Sequence, residues 1–72
     1  MSKEINIKFH KKLYSEKAIK KATLAYREVV NIKITRSGEY YLVRLSQVSD
    51  KIKTIIRDEF SNYVLFVMNR YN

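Results

Sequence analysis

Apolar and polar residues alternate at the start of the chain, where Ile5, Ile7 and Phe9 are interleaved with Glu4, Asn6, Lys8 and His10. A period of two sends alternate side chains to opposite faces, so residues 4–10 are expected to form a strand buried on one side. Lys11-Lys12 breaks the alternation, and Ser15 is then placed to cap a helix running to about Val29, with Glu16 favourably near the positive end of the helix dipole. At about 100° per residue, Ala18, Ile19, Ala22, Ala25, Tyr26 and Val29 fall within roughly 120° and make the expected core stripe. Val30, Ile32 and Ile34 alternate with Asn31, Lys33 and Thr35, and Tyr41, Val43 and Leu45 alternate with Tyr40, Leu42 and Arg44. These are the two arms of a hairpin joined at Ser37-Gly38, where the one glycine of the chain supplies the positive φ of a tight turn.

Ser49 repeats the capping signal, with Asp50 after it, and Ile52, Ile55, Ile56, Phe60, Tyr63 and Val67 recur at helical spacing. The segment Tyr63-Val64-Leu65-Phe66-Val67-Met68 is apolar on all sides and rich in strand-favouring residues. Two readings follow for 63–70. As a strand it completes a ferredoxin-like βαββαβ order; as a helix it gives βαββα, with a closing helix of about 20 residues and about 30 Å. The stripe continues without a phase change and no Gly or Pro interrupts it, so the expectation is an α+β domain with three strands and two helices on one face.

The stretch Leu13-Tyr14-Ser15-Glu16-Lys17-Ala18-Ile19-Lys20-Lys21-Ala22 after a short strand, the hairpin, and Asp58-Glu59-Phe60-Ser61-Asn62-Tyr63 in a closing helix together resemble the small D-type proteins of the His-Xaa-Ser systems. The resemblance implies a βαββα pattern and an accessory role beside radical-SAM maturation enzymes and a His-Xaa-Ser repeat protein. It brings no catalytic motif, so it implies no active-site residues.

At 72 residues, residues 1–72 are expected to form a single small basic domain, since a further one needs roughly 50 residues more. With no Cys there is no disulfide, thiolate metal site or cysteine nucleophile, and the expected compartment is the cytoplasm. No apolar run reaches the roughly 18 residues of a membrane span, and Met1-Ser2-Lys3-Glu4 lacks a signal-peptide core, so no membrane partner is expected. His10 is the sole His, and one Gly cannot build a phosphate-binding loop. No metal, no cofactor and no enzymatic activity are therefore expected of this chain, and Ser49, Asp50 and His10 read as capping and strand-end residues rather than a triad.

Charge points to partners instead. The net charge is +8, and residues 1–36 hold ten Lys/Arg against three Glu, so the excess is N-terminal. On the first helix Lys17, Lys20, Lys21 and Arg27 surround Leu24, which faces away from the core stripe, and the charges of Lys20 and Lys21 read as uncompensated by neighbouring Glu. An apolar centre in a basic ring suits a protein or peptide partner. The alternative is nucleic acid, bound through the same basic face with Lys8, Lys11 and Lys12, or on the open sheet face through Lys8, Lys33, Tyr40 and Arg44. Leu65, Phe66 and Met68 exceed what three strands are expected to cover, which suggests self-association as a homodimer.

Overall fold

The computed structural model describes residues 3–71. Strand β1 (Lys3–His10) leads through helix α1 (Glu16–Tyr26) to strands β2 (Asn31–Ser37) and β3 (Tyr40–Val48), and helix α2 (Lys53–Tyr71) closes the order βαββα. The α+β arrangement is the one expected. Residues 63–70 continue the helix, which excludes the ferredoxin-like alternative. Phe60, Val64 and Val67 are all buried, and their spacing of four and three is a helical stripe aimed at one apolar surface.

The three strands form one antiparallel sheet in the order β1-β3-β2. Because β1 and β2 each pair antiparallel with β3, they run parallel to one another and are separated by the strand that the hairpin returns between them. One sheet face carries Ile5, Ile7, Phe9, Val43 and Leu45 into a core with Ala18, Ile19 and Ala22 of α1 and Ile56, Phe60, Val64 and Val67 of α2. Helix α1 starts as its sequence directs, with the Ser15 hydroxyl accepting from the Ala18 N–H at 3.1 Å. Gly38 has φ +58 at the first position of the two-residue hairpin loop, and nothing crowds its Cβ position, so backbone conformation alone demands glycine there.

One feature of β3 has no counterpart in simple alternation. Lys3 lies opposite Val48 while Ile5 lies opposite Leu45, so β3 holds one residue more than β1 in this interval. Gln47 absorbs it as a bulge with φ +59, and its Oε1 accepts a hydrogen bond from Asn31 Nδ2 at 2.7 Å. The bulge shifts the phase, so that Val48 rather than Gln47 turns inward and is completely buried. A left-handed backbone at a residue with a side chain costs about 1 kcal/mol relative to glycine. Gln47→Gly is accordingly expected to hold or raise stability by up to about 1 kcal/mol, and Gln47→Val, β-branched at positive φ, to lower it. Thermal unfolding of the two variants measures the difference.

Several sequence expectations shift by a few residues. Helix α1 ends at Tyr26, not near Val29; the chain turns so that Val30 enters the core, which leaves Val29 57% exposed and Ala25 also outside. Ser49 and Asp50 open a turn rather than the helix: the Ser49 hydroxyl accepts from the Lys51 N–H at 3.2 Å, and the Ile52 carbonyl accepts the first helical bonds. The helix therefore starts at Lys53, and its phase leaves Ile55 exposed.

An ion-pair cluster ties α1 to β2. Arg36 Nε donates to Glu16 Oε1 at 2.8 Å, and Lys20 Nζ lies 3.0 Å from Glu16 Oε2. The Arg36 guanidinium foremost, then Lys20, holds the Glu16 carboxyl below its ordinary value. A lowered folded-state value means that this group stabilises the fold above the usual carboxylate range and that the contribution is lost as pH falls through the lowered value. Glu16→Gln is expected to flatten that acidic part of a Tm-against-pH profile, by a small amount because the cluster is in contact with solvent.

Candidate functional site

Helices α1 and α2 run antiparallel, with Lys21 near Arg70, Leu24 near Phe66, and Tyr26 against Tyr63 in an edge-to-face contact at 5.6 Å. Between them on the outer side lies an open groove of about 390 Å³, lined chiefly by Leu24, Tyr63, Phe66 and Val67 with Lys21 and Arg70. Leu24 is 62% exposed and Phe66 55% exposed, and the rings of Tyr63 and Phe66 meet at a tilt of 51° with centroids 6.0 Å apart. Beyond Tyr26 the same seam continues as a smaller cleft where Val29 and Ile55 stand with Glu59. The seam is thus apolar along its length, cationic at the end of Lys21 and Arg70, and acidic at Glu59.

The basic ring expected around Leu24 is broken up. Lys21 shares the groove with Leu24. Lys20 turns toward β2 and pairs with Glu16, so the expectation of uncompensated charge fails there: Glu16 precedes Lys20 by four residues on the same helix face, and Lys21 is not free either. Arg27 is the C-terminal cap of α1 and borders a different depression, with Asn31 and Gln47. Lys17 is exposed on the outer side of α1. Burial also separates the three residues expected to self-associate. Met68 is half-buried and packed against the core, and Val64 is fully buried, so α2 hides more of its apolar segment than expected. Leu65 and Phe66 are exposed, but about 100° apart around the helix, and only Phe66 lines the groove.

The open sheet face holds the other candidates. Asn6, Arg44 and Lys33 form one row across the three strands, Lys8, Leu42 and Thr35 the next, and His10, Tyr40 and Ser37 the third. Lys8 Nζ lies over the Tyr40 ring at 5.4 Å, and His10 meets the same ring edge-to-face at 5.1 Å. His10 Nδ1 also accepts from the Lys12 N–H at 3.1 Å. Lys11 does not join this face, because its Nζ lies over Tyr41, on the side of the sheet that carries the helices. Lys8 and the lysines of α1 are on opposite sides of the sheet, so the expected continuous track of both is not formed.

The groove residues Tyr63 and Arg70 were not singled out as partner contacts by sequence reasoning. Their spacing with Phe66, three and four residues, marks one face of α2, but its meaning depends on α1 lying alongside. Among the described residues no three of His, Asp and Glu gather as a metal-ligand set, and no helix is long and apolar enough to cross a membrane. No protein-family model, no curated protein and no solved structure matches the chain.

Proposed function

We propose that the chain is a non-enzymatic accessory protein whose α1–α2 groove recognises an acidic, amphipathic segment of a partner protein or peptide. The observation that carries this reading is the juxtaposition of Leu24, Tyr63 and Phe66 with Lys21 and Arg70 in one open groove. Apolar side chains in the centre gain from leaving water, and cations at the rim select the orientation and sign of what docks. An amphipathic helix fits this shape, with apolar residues on Leu24 and Phe66 and carboxylates toward Lys21 and Arg70. The resemblance to a small component of a His-Xaa-Ser peptide-maturation system agrees with a partner-dependent role, in which chemistry is done by another chain.

A comparison of wild type with Leu24→Ala in a pull-down from cell extract tests the reading, with sedimentation of the purified chain alongside. The expected result is an acidic partner held by wild type and lost from the variant. A purified dimer that Phe66→Glu converts to monomer assigns the groove to a second copy instead. The reading of helix α1 as a phosphate track loses support from the diversion of Lys20 to Glu16 and of Arg27 to the far end of the helix.

A further inference from the structure

No described residue covers the face of the sheet turned away from both helices, and its chemistry differs from that of the groove. Each strand contributes one cation: Lys8 from β1, Arg44 from the central β3 and Lys33 from β2. Among the described residues of this face Glu4 is the one carboxylate, 3.4 Å from Arg44 Nε. The rest of its surface includes Asn6, Thr35, Ser37 and His10, the last edge-on to Tyr40, with Leu42 and Tyr40 on the middle strand. A concavity of about 190 Å³ is floored by Leu42 and walled by Arg44, Lys33, Asn6 and Thr35. One row away, the Tyr40 ring is 38% exposed with an ammonium over it.

From this arrangement we propose that the open sheet face binds single-stranded nucleic acid, with one base stacked on Tyr40 and the neighbouring phosphates held by Lys8, Lys33 and Arg44. The sign of the charge calls for a polyanion. The central aromatic favours a single strand over a duplex, because an unpaired base can lay its face on the ring and a base inside a duplex cannot. Lys8 interacts weakly with Tyr40 at an exposed site, and a stacking base displaces it toward a phosphate. The side-chain amide of Asn6 and the hydroxyl of Thr35 are donors and acceptors beside Leu42, suited to sugar hydroxyls or base edges. Lys33 and Arg44 share one row and Lys8 lies in the next, about 6.6 Å along the strands, so the cations reach more than one phosphate. The surface is separate from the α1–α2 groove, so it stands or falls independently of the groove's partner.

Fluorescence anisotropy with a labelled oligouridylate about a dozen nucleotides long tests the proposal, using the intact chain at low salt. Wild type is expected to bind it more tightly than a duplex of equal length. Tyr40→Ala is expected to weaken binding about ten-fold and Tyr40→Phe to retain it. Lys33→Ala and Arg44→Ala are each expected to lower affinity and to reduce the salt slope by roughly 0.7. Leu24→Ala is expected to change nothing. Absence of binding, equal binding of duplex, equal binding of polyglutamate, or insensitivity to Tyr40→Ala in a variant with an unchanged circular dichroism spectrum would each overturn it.

Discussion

Truncating Phe60 to Ala is expected to lower the unfolding free energy by about 3–5 kcal/mol, the range for removing a buried aromatic ring from a packed core. Phe60 has no exposure to solvent, and its ring meets Phe9 of β1 at 6.2 Å and Tyr26 of α1 at 5.9 Å. It therefore joins the sheet and both helices at one point. The loss has two parts: the apolar area no longer buried, and a cavity that Phe9 and Tyr26 cannot fill, since each is held by its own element. A small domain has about 5–15 kcal/mol in total, so the variant should be substantially unfolded at moderate urea. Phe66→Ala, six residues further along α2, is expected to stay within about 0.5 kcal/mol because more than half of that residue is in water. Urea midpoints measured on the pair decide the matter, and a loss below about 1 kcal/mol for Phe60→Ala would mean that α2 does not dock through this face.

In the proposed complex Leu24→Asp should weaken partner binding by about 2 kcal/mol, near 30-fold, the scale of an interface hot spot. Leu24 is more than half exposed, so the fold loses little when it is changed, whereas in a complex it would be desolvated beside Phe66. An aspartate there loses the apolar contact and puts a negative charge against the partner's own acids. The geometry adds a discrimination that a uniform basic ring would not make. Arg70→Ala should weaken the complex, because Arg70 is at the groove, while Lys20→Ala should leave it unchanged, because Lys20 already faces Glu16. Titration calorimetry with the purified partner reads both. Equal losses from Lys20→Ala and Arg70→Ala would restore the undivided ring and count against the groove.

The order of elements was legible in the chain because its signals are local. Alternation at Ile5, Ile7 and Phe9, the Ser15 hydroxyl three residues before Ala18, and Gly38 between two alternating runs each depend on neighbours within a few residues. Backbone dihedrals and side-chain periods act over that distance, so strand, cap and turn could be assigned without knowing what lay across the core. The inward turn of Val48 was not legible. It follows from the bulge at Gln47, and that bulge arises where β1, far away in sequence, pairs with β3.

The functional surface divides in the same way. Leu24 as an exposed apolar residue and the surplus apolar character of Phe66 could both be read from a helical wheel, each on its own helix. Met68 could not be assigned correctly, because whether a residue near the margin of a stripe is covered depends on the curvature and distance of the surface beneath it. The pairing of Lys20 with Glu16, four residues apart on one helix, is a local signal that was open to the sequence, whereas the arrival of Arg36 from β2 at the same carboxylate was not. Sequence by itself determined which elements form and the general direction of the apolar face of each. The common face of Lys8, Lys33, Arg44 and Tyr40 already followed from strand alternation, whereas only the tertiary structure, through the antiparallel docking of α1 on α2, decided that Leu24, Phe66, Lys21 and Arg70 share one groove. The physical reason is range: period and propensity act between adjacent turns, while burial and charge pairing join residues that chain folding alone brings together.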